Sequence, residues 1–178
     1  MGRLADAVAY SVVAIHNHEV LLDQCVKLIN SEWPRSYNAR LWSLKSSNDS
    51  LPISMVLIKG REITEMTPVL AHAKLSPIPS DPSAIFIESV VVDRQYRGQG
   101  FGRMIMAEVE IHCFDVLQCE TVYLCTTDQE GFYQNIGYIL CKAINLFGVR
   151  KAFNNSTKKI WFKKSFKEWR LHNESECH

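Results

Sequence analysis

The chain has 178 residues, 47% of them hydrophobic and 22% charged, with a formal net charge of +1. Such a length and apolar content suit one soluble globular domain with a full core, spanning 1–168 and followed by a flexible tail at 169–178. The near-neutral balance excludes bulk adhesion to nucleic acid or to anionic membranes, since those footprints need a strongly basic surface.

No apolar run approaches the roughly 20 residues that span a bilayer. The stretch Ala7 to Ile15 leads into His16, Asn17, His18 and Glu19 rather than a small-residue cleavage site, so the cytosol is the expected compartment. The cysteines at 25, 113, 119, 125, 141 and 177 contain no C-x-x-C pair and mostly fall in apolar runs. They read as reduced core residues. His16, His18, His72 and His112 lack ligand spacing, so no metal is expected, and surface or satisfied core positions account for them.

Tyr10 to Ile15 has the pattern of a first strand. Asn17 is a candidate N-cap for a helix whose Leu21, Cys25, Leu28 and Ile29 share a face, and Pro34 stops that helix just after Trp33. A tether, Pro34 to Asn38, leads to a second helix near Ala39 to Lys45, then a polar loop at Ser46 to Ser50. Strands follow at Ile53 to Ile58 and across Val69, Ala71, Ala73 and Leu75, where alternation implies one buried face. The three prolines between Ser76 and Ser83 mark a loop.

Ser89 to Arg103 reads SVVVDRQYRGQGFGR, a β-branched run entering a glycine turn and then a helical stripe of Gly102, Ile105, Met106, Val109, Cys113 and Val116. Glycines at 98, 100 and 102 remove Cβ atoms where a ligand would approach the main chain. Successive N–H groups and a helix start then suit a pyrophosphate. A Walker loop would need Lys-Ser or Lys-Thr after the last glycine, and a dinucleotide fold would need G-x-G-x-x-G near the chain start. Neither fits.

What remains, R-x-x-G-x-G at Arg97, Gly100 and Gly102 behind Val90, Val91 and Val92, resembles the acetyl-coenzyme A signature of the GCN5-related N-acetyltransferase superfamily (GNAT). Downstream, Val122 to Leu140 reads strand, short helix at Phe132 and Tyr133, then Gly137-Tyr138 opening another strand, which resembles that superfamily's FYxxxGY element. The resemblance implies an α/β fold with a mixed, twisted sheet of about seven strands, the last near Lys159 to Phe166, and helices on both faces. It implies a splay between the fourth and fifth strands.

The cofactor implied is acetyl-CoA, as co-substrate. Its pantetheine would pair along Val90, Val91 and Val92, and a backbone N–H near Val90 would polarise the acetyl carbonyl. Its pyrophosphate would sit on Arg97, Gly98, Gln99, Gly100, Phe101, Gly102 and Arg103, and Thr127 and Tyr133 would also contact the cofactor, Tyr133 near its sulfur. Tyr133 matches the family tyrosine that protonates the departing thiolate. Glu88 and Asp128 are candidate bases for the amine, directly or through water.

Among protein N-terminal acetyltransferases the acceptor is selected by the loop between the first two helices and by a hairpin near the C-terminus. Here those are Trp33 to Arg40 and about Asn145 to Lys159. The first contributes Trp33, Arg35, Ser36, Tyr37 and Arg40; the second contributes Arg150, Lys151, Lys158 and Lys159, and Ser89 and Thr126 lie on the strands that would flank the acceptor. Cations on both walls favour an acidic chain end. The segments SEWPRSYNARLWSL, LAHAKLSPI, IESVVVDRQYRGQGFGR and TTDQEGFYQNIGY are similar to the animal branch that acetylates processed actin. That likeness implies the Asp/Glu-rich N-terminus of monomeric actin as partner. It also brings in profilin, which the long proline-rich additions of mammalian relatives are thought to engage; this sequence lacks such additions. Alternatives are a lysine or small-amine acetyltransferase of the same fold, or a non-catalytic CoA- or actin-binding module.

Overall fold

The structure is a computed structural model that describes residues 9–60, 62–146 and 159–169. Among the described residues seven strands and four α-helices follow in the expected order: β1 (Tyr10–Ala14), α1 (Leu22–Glu32), α2 (Tyr37–Lys45), β2 (Ile53–Lys59), β3 (Val69–Pro77), β4 (Ala84–Val92), α3 (Phe101–Ile111), β5 (Thr121–Thr126), α4 (Glu130–Asn135), β6 (Ile139–Leu140) and β7 (Ile160–Ser165), with one further helical turn at 166–169. The sheet is mixed, with strand order β1-β2-β3-β4-β5-β7-β6. β1 runs antiparallel to β2, and β7 lies antiparallel to both β5 and β6. β4 and β5 run parallel from Ala84 and Thr121 to Phe86 and Tyr123, where their register ends. This three-pair register agrees with the expected parting of the fourth and fifth strands. Among the described residues no helix is long and apolar enough to cross a membrane.

The described residues divide into two compact units, the first comprising those up to Lys74 together with Ser89–Glu108, the second Leu75–Glu88 together with those from Val109 onward. In the first, α1 buries Leu22, Cys25, Val26, Leu28 and Ile29 against Val56 and Ile58 of β2 and Val91 of β4. Each fully buried aliphatic side chain there contributes about 1.5–3 kcal/mol. The second unit has its own cluster of Ile78, Ala84 and Phe86, packed by Tyr123, Cys125 and Trp161.

Several local details differ from the sequence reading. Asn17 does not cap α1: two single 3₁₀ turns, Ile15–Asn17 and Glu19–Leu21, precede it, because His18 at φ −143° and ψ 65° interrupts the helical path. α2 begins at Tyr37, two residues early, because Ser36 accepts a hydrogen bond from the Ala39 N–H at 3.3 Å and caps it. β3 continues through Ser76 and Pro77. The stripe of α3 ends before Val116, which is 63% exposed, because a π turn at His112–Val116 shifts the register by one residue and turns Phe114 inward instead. Trp169, assigned to the tail, stacks on Phe166 at 5.9 Å. Residues 170–178 lie outside the described ones.

Candidate active site

In the first unit the signature segment forms a framed turn. After Val92 a short 3₁₀ turn, Arg94–Tyr96, is capped by Asp93, whose Oδ1 accepts from the Gln95 N–H at 2.9 Å. Gly98 and Gly100 then take φ +77° and +86°, a region that costs a side-chain-bearing residue about 1–2 kcal/mol. A Cβ built on either would meet nothing within 4 Å, so the space over the turn is open. α3 starts immediately afterward, with its first regular bond from Met104 N–H to Gly100 O at 3.0 Å. The N–H groups of that first helical turn have no intrahelical partner and carry the positive end of the helix dipole. Phe101, buried, is pinned between Tyr10 at 4.9 Å and Tyr96 at 6.2 Å, which fixes where the helix begins.

Arg97 serves the frame. Its Nε donates to Val92 O at 3.0 Å and its Nη2 to Glu32 Oε2 at 2.8 Å, while Arg94 reaches the same carboxylate at 3.5 Å. The Arg97 and Arg94 guanidiniums hold the Glu32 carboxyl below the usual range. Gln99 bonds back to Gln95 O, and Arg103 is exposed on the first turn of α3. A diphosphate fits this set: open backbone, left-handed glycines and unpartnered helix-start amides.

The tether between α1 and α2 is stapled by Asn30. Its Nδ2 donates to Arg35 O at 2.9 Å and its Oδ1 accepts from Arg40 Nε at 3.0 Å; Arg40 Nη2 donates to Trp33 O at 2.9 Å. Arg40 is therefore a fastener of the loop. Trp33 and Tyr37 stand about half exposed, and Arg35 is exposed.

On β4 a non-glycine residue adopts a left-handed conformation inside a strand: Ser89, φ +53°. Its carbonyl accepts from Nδ1 of His72, on β3, at 2.9 Å. Burial drives the His72 pKa down to about 4, with the Lys74 and Arg40 charges adding to the effect, so the ring is neutral and Nδ1 carries the proton. Val90, Val91 and Val92 continue the strand to the turn.

In the second unit, Ser76 Oγ donates to Glu88 Oε1 at 2.6 Å. Thr126 closes β5 by accepting from the Asp128 and Gln129 amides at 3.4 and 3.1 Å; Thr127 and Asp128 are exposed beside it. Tyr133 lies in α4, which ends in a Schellman cap. The Tyr138 N–H bonds to Tyr133 O and the Gly137 N–H to Gln134 O, both at 3.0 Å, with Gly137 at φ +88°. The Tyr133 and Tyr138 rings make the cap's hydrophobic contact at 5.8 Å. FYxxxGY is thus a capping motif that seats a tyrosine.

Lys164, from β7, donates to Ile136 O at 2.8 Å and to Glu110 Oε2 at 2.7 Å, with both side chains almost fully buried. A Cβ at 137 would lie 3.4 Å from its Cε. Tyr133 is 7% exposed, and burial, reinforced by Cys125 and Asp128, pushes its pKa up, so the phenol keeps its proton.

The cofactor residues Val90–Val92 and Arg97–Arg103 fall together in the first unit, as do Trp33, Arg35, Ser36, Tyr37, Arg40 and Ser89. Glu88, Thr126, Thr127, Asp128 and Tyr133 belong to the second. Lys151, Arg150 and Lys158 lie outside the described residues; Lys159 is exposed. His72, Asn30 and Lys164 are new. Each acts through side-chain hydrogen bonds, Asn30 to Arg35 and Arg40, His72 to Ser89 and Lys164 to Glu110 and Ile136, and no periodicity announces such bonds.

Residues 21–138 match the acetyltransferase (GNAT) family. Mouse N-alpha-acetyltransferase 80 is 38% identical over 121 residues, which make up 67% of this chain and 38% of the mouse protein, so the chain spans well under half that relative's length. Among solved structures, a spermidine N-acetyltransferase SpeG chimera from Vibrio cholerae and hSSAT aligns with a TM-score of 0.68 at 14% identity, covering 92% of this chain and 98% of that one. An aminoglycoside 6'-N-acetyltransferase complexed with coenzyme A aligns at 0.66 and 15%, covering 88% and 96%. At these identities the likeness is one of fold.

Proposed function

The chain belongs to the acetyltransferase (GNAT) family, and on that premise we propose that it is a cytosolic protein N-alpha-acetyltransferase using acetyl-CoA, whose acceptor is an acidic N-terminal α-amine, that of processed monomeric actin. The observation that carries the reading is the turn at Gly98 and Gly100, open above its backbone and joined to the start of α3.

Acetyl-CoA supplies an acetyl group already activated as a thioester. The turn amides and the positive end of α3 hold the diphosphate. The Val90 N–H polarises the carbonyl, as a backbone donor aimed at developing charge does. Tyr133, kept protonated by burial, gives its phenolic proton to the departing thiolate. Glu88 or Asp128 takes the proton from the amine, directly or through water. An α-amine titrates near ~7.7–8.0, so a sizeable fraction is already neutral, unlike lysine near ~10.4. Arg35, exposed on the tether, offers charge to an Asp- or Glu-rich chain end, while Trp33 and Tyr37 supply apolar walls.

Pure protein with acetyl-CoA is given peptides beginning DDD, EEE, MD or SG, an internal-lysine peptide and a polyamine, then actin with and without profilin. CoA release is expected with DDD and EEE and with actin. Tyr133→Phe lowers kcat by about 10-fold or more with CoA affinity unchanged. Absence of CoA release with every acceptor refutes the reading, and preference for lysine or polyamine replaces it with the alternative acceptor.

A further inference from the structure

Ser89 is an outlier that nothing in its own side chain requires. It has a β-carbon, it lies within β4, and its φ of +53° belongs to turns. Single residues held this way are strained and persist where the surroundings impose them. Here the surroundings are specific. His72 on β3 is 1% exposed and places Nδ1 2.9 Å from the Ser89 carbonyl, while its Nε2 is buried without a hydrogen-bond partner among the described residues. An orphaned ring nitrogen is a cost that an apolar residue at 72 would avoid. A histidine here is therefore poorly explained by stability.

The peptide unit linking Ser89 to Val90 supplies the explanation. It is planar and trans, so the Ser89 C=O and the Val90 N–H point in opposite directions and turn together. A donor fixed on the carbonyl fixes the amide on the far side. A hydrogen bond accepted by the carbonyl also polarises the unit and makes its N–H a stronger donor.

We propose that His72 is a positioning residue for acetyl transfer, which through the Ser89 carbonyl aims and strengthens the Val90 N–H that polarises the thioester carbonyl. The inference rests on the functional reading above. It assigns His72 no proton transfer and no contact with substrate. Because the Val90 donor matters most as charge develops, the effect falls on kcat and not on cofactor affinity.

The test compares wild type, His72→Leu and His72→Asn at a temperature where all are folded. Asn places its amide nitrogen where Nδ1 stands and restores the donor. His72→Leu is expected to lower kcat about 10-fold or more, with KM for acetyl-CoA and the affinity for CoA changed less than about twofold. His72→Asn should recover most of the rate. Equal kcat in all three, or parallel loss of kcat and CoA affinity, overturns the proposal. Should His72→Leu not fold, His72→Gln, whose amide reaches the Nε2 position instead, takes its place.

If the wild type acetylates no acceptor, the failure belongs to the functional reading, and the backbone coupling is decided by the Ser89 HN–Hα coupling constant. A left-handed value retained in the Leu variant overturns it; a shift to the extended value, reversed by Asn, supports it.

Discussion

Replacing Lys164 with methionine removes the ammonium from one of the most buried polar arrangements in the second unit. The Lys164 and Glu110 side chains are 5% and 7% exposed, and Nζ also donates to Ile136 O at the end of α4. A carboxylate left inside without its partner costs about 3–5 kcal/mol, whereas replacing both members with apolar or neutral groups is often close to neutral. For a urea dependence of about 2 kcal/mol per molar, Lys164→Met should lower the unfolding midpoint by about 2 M. Lys164→Met with Glu110→Gln should regain most of that. Urea titrations of the three proteins by far-UV circular dichroism supply the comparison. A single-variant loss below about 1 kcal/mol, or a double variant as unstable as the single, refutes the view that the buried Lys164–Glu110 pair fastens β7 to α3.

Gly100→Val should abolish CoA binding by calorimetry, since φ +86° strains any side chain and the isopropyl group would occupy the open space over the turn; unchanged affinity removes the diphosphate assignment. Arg35→Ala should raise KM for DDD peptides more than for neutral ones, with added salt acting alike. Arg40→Ala should instead lower the melting temperature, because it loses two loop hydrogen bonds; identical behaviour of the two variants contradicts the division of roles.

His72 makes stability pH-dependent. Its folded pKa of about 4 lies below the ordinary 6.5, so the unfolded chain binds more protons between those values and stability falls as pH drops through that window. Between pH 7 and 4.5 this amounts to about 2–3 kcal/mol. His72→Leu should lose that much less than wild type; equal pH dependence counts against it.

The order of strands and helices was readable because each leaves a period in the sequence. Alternation across Val69, Ala71, Ala73 and Leu75 marks β3, and spacing of three and four marks α1. The glycine turn was legible for a stronger reason, since left-handed backbone at 98 and 100 leaves glycine as the natural choice. Less legible were features made by individual side-chain hydrogen bonds and by packing. Arg40 looks in sequence like any surface cation, yet Asn30 and the Trp33 carbonyl occupy it. His72 falls between the apolar positions of β3, so alternation alone sends it to a polar face, whereas that face is buried as well. The π turn at His112 inserts one residue into an otherwise regular stripe, and only packing tells Val116 from Phe114.

The cap at the end of α4 has a consequence for how chemistry is gained or lost in chains of this kind. Tyr133 contributes to the cap through its carbonyl and its ring, whereas the proton donation proposed for it uses its hydroxyl alone. A descendant that abandons acyl transfer can therefore exchange this tyrosine for phenylalanine at little structural cost, while the glycine four places on stays under the same conformational demand. Phe-Phe-x-x-x-Gly-Tyr at this point in a related chain would be the written trace of a scaffold retained after its reaction was given up.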